Sequence, residues 1–401
     1  MLQVLTREAA DKLLAERFPQ KTTDERVALS MAAGRVLRAD ILAEEDLPGF
    51  TRSSVDGYAL RAGDSFGCSE SIPALLLLSG RVEMGAPPPC AVEPDCCCYV
   101  PTGGALPEGA DAVVMLEHTE AFGAYIGVVK PVAPGENLVL RGDDAKRGRR
   151  VLPKGRVLRA SDIGALAALG RHELCVAGKP RVTVLSTGNE VVSVETPPLA
   201  AQVRDVNGPM LAAQAATYGA EARSLGIVPD EEGQLSEALL KAARGADLVL
   251  LSGGSSVGEK DAVARVIGAL GALLFHGLAL KPGKPTLAGE IGGVPVIGLP
   301  GHPMAAYMVC HELVRGMIAR MLGAELPEWT RRARLTENVS ANHGREALVP
   351  VRLRGEACEP LMLKSGLITA LGGSDGYIRI PRDCEGRGRD EEVLVYLWGR
   401  I

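Results

Sequence analysis

Apolar residues follow different rhythms in different parts of this chain, and the rhythms predict its elements. Residues 1–18 scatter charges among leucines and alanines, the pattern of an amphipathic helix. Residues 23–44 predict a strand, a turn at Gly34 and a further extended or helical piece. Residues 47–64 are polar and rich in turn formers, and 72–130 break short apolar runs with Gly and Pro, which predicts a small β subdomain. Over 135–160, Arg and Lys alternate with acids and turn glycines. That pattern fits a solvated hairpin returning the chain, or else a basic ribbon for phosphate or nucleic acid. A helix over 161–169 and a strand over 173–176 close this half.

From Lys179 the pattern becomes strand, loop, helix, repeated. Strands are predicted over 182–185, 222–228, 248–251 and 294–299. Helices are predicted over 208–218, 231–244, 262–270 and from 303 to about 322, with Asn207 and Asp230 as capping candidates. The 248–251 run, Leu-Val-Leu-Leu, has no polar alternation and suits a strand buried on both faces. The sum is a doubly wound α/β domain. Beyond Trp329 short alternating segments predict a small β-barrel or sandwich. The expected organisation is α/β plus β: 1–44 with 141–176 as a linker-like domain, 45–140 inserted into it, 177–325 as the α/β domain and 328–401 as the barrel.

Composition narrows the class. A chain of 401 residues exceeds one ordinary core, and about two to four domains are expected. With 46% hydrophobic but only 3% aromatic residues, the cores rest on Ala, Val and Leu. A net charge of −5 argues against a nucleic-acid or membrane-binding surface spread over the molecule. The longest leucine run, 75–78, is far below the ~18 apolar residues of a membrane span. The first residues lack a signal-peptide core, so a cytoplasmic protein is expected. Nine cysteines, irregularly spaced and without a C-x-x-C pair, suit reduced thiols better than a disulfide framework or a zinc site.

Candidate chemistry gathers where strands end. Ser186, Thr187 and Gly188 lead to Glu190; Ser252, Gly253, Gly254, Ser255 and Gly258 lead to Asp261; Pro300, Gly301 and Pro303 follow the last strand. Ligands of such sheets bind at strand carboxyl ends. The 252–258 loop offers hydroxyls and unobstructed N–H groups for phosphate, or it is a plain strand-to-helix turn. Gly253 and Gly258 have P-loop spacing, but Glu259 stands where that motif needs lysine. Glu190, Asp230 and Asp261 beside a phosphate cradle point to a hard cation, Mg²⁺ first; Asp230 has a helix cap as its alternative. Lys281 and Lys284 can offset anionic charge. Asp56 precedes Gly57 in a turn pattern, and Thr102 is either a turn hydroxyl or a ligand contact. The histidines are too dispersed to predict a transition-metal site.

The ordered set SSVDGYA, PTGGALPEGADAVVMLE, STGNEV, LLSGGSSVGEKD, LKPGKP and LPGHP resembles the molybdopterin molybdenumtransferase family, the MoeA proteins. The resemblance runs from about residue 5 to the end. It implies an Mg²⁺-assisted enzyme that takes adenylylated molybdopterin and molybdate, inserts the metal into the dithiolene and releases AMP. It also implies a homodimer of four-domain subunits with clefts formed by both chains, and a molybdopterin adenylyltransferase as a possible partner. The family's functional acids fall on Asp56, Asp144, Glu190, Asp230 and Asp261, and its other site positions on Thr102, Lys281, Pro300 and Pro303. Two positions depart from the family pattern: Gly277 replaces a common basic residue, and His302 stands where Asn is common. A tungstate-inserting relative and a non-catalytic molybdopterin-binding scaffold are the alternatives.

Overall fold

The computed structural model of the chain describes residues 4–19, 21–253, 262–324, 327–341, 343–361 and 366–399. Its centre is a six-stranded sheet in the order Glu221–Val228, Arg181–Thr187, Leu248–Ser252, Val294–Leu299, Leu287–Ile291, Ala272–His276. The first four strands are parallel, and the last two add antiparallel. Sequence pattern missed those two, because Gly289 and Glu290 interrupt one and the other is only half-buried.

Strand geometry sends successive side chains to opposite faces. Val182, Val184, Leu248 and Leu250 join Leu211, Ala215, Met308 and Leu313 in one core, under the helices that follow the first and last parallel strands. Leu185, Val249 and Leu251 join Leu235, Leu239, Val263 and Ile267 in the other. Both faces of the sheet are thus covered, which is the doubly wound arrangement. The last helix continues from Pro303–Val309 through a π-helical turn, Cys310–Val314, into Arg315–Leu322.

The N-terminal helix, Arg7–Arg17, is capped by Thr6, whose Oγ accepts from the Ala9 N–H, and it buries Ala10 and Leu14 in the first core. Residues 57–128 form a second six-stranded sheet with apolar clusters on its two faces. The 135–160 stretch is not a hairpin closed on itself. Leu138–Val139 pairs with Arg52–Ser53 and Arg150–Leu152 with Ile41–Leu42, so the returning chain pairs with the outgoing one. Asp24–Ala28 and Glu173–Ala177 complete that return.

The C-terminal strands Thr330–Leu335, Glu346–Arg354, Ala357–Pro360, Gly376–Ile380 and Glu392–Leu397 close into a barrel. Leu280–Lys281, predicted as loop, adds to it as a short strand parallel to Glu346–Arg354. The barrel is thereby stitched to the α/β unit by backbone hydrogen bonds. Among the described residues, no helix is long and apolar enough to cross a membrane.

Candidate active site

Three parallel strands end side by side at Thr187, Ser252 and Leu299, and the polar residues there hold one another. Ser186 and Ser252 are register partners, both buried. The Ser186 hydroxyl donates to Asp205 at 2.9 Å, and the same carboxylate oxygen accepts the Gly208 N–H at 2.9 Å. Asn207 was expected to cap this helix. Instead it is the first residue of Asn207–Thr217, and Asp205 satisfies the Gly208 N–H, which has no partner within the helix. The Asn207 amide donates to Ser252 Oγ at 2.6 Å and to the Gly301 carbonyl at 2.8 Å. One side chain thus ties the helix start to two strand-end loops. Asp205 and this role of Asn207 escaped the sequence reading; the Asp205-Val-Asn-Gly208 spacing was the available signal.

Asp230 is not a helix cap either. The helix it precedes is Glu232–Ala243 and has no side-chain cap, while the Asp230 carboxylate accepts from the Thr187 hydroxyl. The Asp230 N–H donates to Asn189 at 3.2 Å, so the Asp230 turn and the loop bearing Glu190 are held together. Gly253 has φ +98°, and a Cβ there would lie 2.0 Å from the Thr187 carbonyl oxygen. Only glycine lets these two strand ends approach so closely. Gly188 makes comparable room for the Glu190 carboxylate, which would meet a Cβ at 2.9 Å.

Ser186, Thr187, Glu190, Ser252, Gly253, Pro300, Gly301 and Pro303 line a cavity of about 640 Å³, together with Asp205 and Asn207. Lys281 and Lys284 are absent from the described lining of this cavity. They line a neighbouring one of about 540 Å³, between the α/β unit and the barrel, where Arg345 and Ser340 join them. Pro285, Pro300 and His302 belong to both walls, so the cavities adjoin. Gly254, Ser255, Gly258 and Asp261 lie outside the described residues.

Asp56 and Thr102 meet elsewhere: the Thr102 N–H donates to the Asp56 carboxylate at 2.9 Å. Asp144 lines a third cavity of about 200 Å³ with Arg149 and Arg150. Among the described residues, none of these three lines the two adjoining cavities. Gly277 also lines neither. It has φ +119°, donates to the Thr286 carbonyl at 2.7 Å and accepts from the Leu5 N–H at 3.0 Å.

Comparison with known proteins covers nearly the whole chain. Family models match residues 5–170 as "MoeA N-terminal region (domain I and II)", 183–320 as "Probable molybdopterin binding domain" and 332–398 as "MoeA C-terminal region (domain IV)". The molybdopterin molybdenumtransferase of Haemophilus influenzae is 33% identical over 329 residues, 82% of this chain and 80% of the relative. That of Bacillus subtilis is 30% identical over 391 residues, 94% of this chain and 91% of the relative. The crystal structure of the molybdopterin biosynthesis moeA protein from Pyrococcus horikoshii OT3 superposes with a TM-score of 0.89 at 33% identity, covering 99% of this chain and 100% of the other.

Proposed function

The chain belongs to the MoeA family, and from that premise we propose that the protein inserts molybdate into adenylylated molybdopterin and releases AMP. The observation that carries this reading is the adjoining pair of cavities: one floored by hydroxyls and close-packed backbone, the other carrying three cationic side chains. A phosphorylated pterin and a tetrahedral oxyanion need those two environments side by side.

In the first cavity Ser252 accepts its hydrogen bond from Asn207, so its own O–H remains to donate to a phosphate oxygen. The Gly253 corner brings backbone close to the ligand without a side chain in the way. In the second cavity Lys281, Lys284 and Arg345 supply charge-assisted donors for molybdate. The shared wall at Pro300 and His302 would put the pterin's dithiolene end near that oxyanion. Holding both reactants together removes most of the entropic cost of their encounter.

Glu190 in the first cavity's wall and Asp230 on the adjoining loop offer carboxylate oxygens, which fit Mg²⁺. That ion commonly takes one or two carboxylates and completes its shell with phosphate and water. Among the described residues no cluster of three candidate ligands forms; Glu190 and Asp230, on hydrogen-bonded loops, would hold the ion with Asp261. When bound it would neutralise charge on the phosphoanhydride.

Asp56, Thr102 and Asp144 belong, in this reading, to the cleft of a second copy, since they line neither cavity of their own chain. An adenylyltransferase is the class of enzyme that must supply the substrate. The test is to incubate purified protein with adenylylated molybdopterin, Mg²⁺ and molybdate or tungstate, following AMP and metal insertion. AMP release dependent on molybdate is expected. Asp56→Asn and Asp230→Asn should each be inactive, and their mixture should recover up to about a quarter of wild-type turnover by random pairing of chains. Binding of the substrate without AMP formation would identify a scaffold instead.

A further inference from the structure

The 57–128 sheet holds a pair of thiols that the proposed chemistry does not use. Cys98 is fully buried on the Cys96–Val100 strand, and its register partner on the neighbouring Ala74–Arg81 strand is Gly80. Cross-strand partners share a sheet face, so glycine there leaves an empty place beside Cys98. Cys90, from the loop joining the two strands, fills it. A Cβ added at Gly80 would stand 2.8 Å from Cys90 Sγ and 3.7 Å from Cys98 Sγ. Both thiols face the gap beside Gly80: Cys90 is half-buried and donates to the Ser79 carbonyl at 3.6 Å, while Cys98 is sealed in and donates to the Tyr99 carbonyl at 3.7 Å. The same loop reaches the Asp56–Thr102 corner: Met84 Cε would lie 3.5 Å from a Cβ at Gly103.

We propose that Cys90 and Cys98 are an oxidisable pair that closes to a reversible disulfide, fastening the 82–95 loop to the strand that leads into Thr102. With a peroxide as oxidant the chemistry balances. Peroxide transfers one oxygen to the accessible Cys90 thiol, giving a sulfenic acid and water. The Cys98 sulfur then forms the S–S bond as the sulfenic hydroxyl leaves, taking the Cys98 proton with it as a second water. Two thiols are oxidised and one peroxide is reduced. Burial pushes the Cys98 thiol up to about 12, so it is a poor first target for peroxide.

The experiment treats reduced protein with hydrogen peroxide, blocks remaining thiols under denaturing conditions and digests on the N-terminal side of Asp95, which separates Cys90 from the 96–98 cysteines. Tandem mass spectrometry then assigns the linked pair. A Cys90–Cys98 peptide, removed by dithiothreitol and several-fold more abundant than any other pairing, is expected. Cys90→Ser should abolish it. Gly80→Ala, which retains all nine cysteines but pushes the Cys90 sulfur aside, should lower its yield several-fold. A dominant link among Cys96, Cys97 and Cys98, oxidation confined to the exposed Cys175, or undiminished Cys90–Cys98 linkage in Gly80→Ala would each overturn the assignment.

Discussion

Gly277 stands at φ +119°, where an L side chain is strained, and its place is fixed by bonds to Leu5 and Thr286. A Cβ there would meet Val4 Cγ2 at 3.0 Å. The basic residue that the family pattern favours would therefore sit strained at this position. Gly277→Lys should cost about 1–3 kcal/mol of stability and gain no molybdate affinity, whereas Lys284→Ala should raise the molybdate concentration for half-maximal insertion about ten- to a hundredfold. Tighter molybdate dependence in Gly277→Lys would contradict this account. His311 gives a second prediction. It sits edge-on to Tyr218, Tyr377 and Trp398, and burial first, then Arg315 and Arg379, lowers its pKa from 6.5 to about 3. The unfolded chain therefore binds a proton below pH 6.5 that the folded chain refuses until about 3. Stability from this group is complete above 6.5 and declines as pH falls through that window, by at most about 1.4 kcal/mol per pH unit. Urea titrations across the window should show a flatter decline for His311→Phe than for the wild type; parallel declines would exclude the histidine as the cause.

At the scale of elements, the site is a set of strand ends held in register by side chains from a neighbouring helix. Asn207 is the tie: its amide bonds both Ser252 and Gly301, so the helix start, the central strand and the loop after the last parallel strand move together. Replacing it with leucine leaves the buried Ser252 Oγ and the partly exposed Gly301 carbonyl without their donor, a loss of about 1–3 kcal/mol. Asn207→Leu should weaken molybdopterin binding in equilibrium titrations while the molybdate dependence stays near the wild type. The second cavity is built from the Leu280–Lys281 strand and its barrel partner, whose edges carry Lys281 and Arg345. Equal weakening of both dependences would show that the two cavities are not separately supported.

Across the whole molecule, Glu312 joins three parts of the chain. It lies in the π-helical turn with its side chain 1% exposed. It accepts from Tyr377 and from Arg379 at 3.0 Å on the barrel, and pairs with Arg7 of the N-terminal helix at 3.4 Å. Arg7 also reaches Glu346, at the start of the barrel strand that pairs with Leu280–Lys281. A buried pair stripped of one partner leaves uncompensated charge, so Glu312→Ala should cost about 3–5 kcal/mol. Chemical denaturation checks the figure. A loss comparable to that of an exposed ion pair would mean that the barrel docks without this network.

Alternation and loop composition determined much of this protein in advance. Continuous Leu-Val-Leu-Leu at 248–251 and the repeating strand-helix pattern fixed the α/β unit, because buried parallel strands must be apolar on both faces. Strand-end glycines and serines marked the cavity that Ser186, Thr187, Ser252 and Gly253 line. Local pattern misplaced the capping roles of Asn207 and Asp230, since a capping residue's partner is chosen by whichever strand end folds beside it. It could not show that Lys281 and Lys284 face the barrel rather than Glu190, or that Gly277 is held by Leu5, more than two hundred and fifty positions away in sequence. These are long-range pairings. Their residues carry no local signature, and only the closing of the barrel against the sheet brings them together.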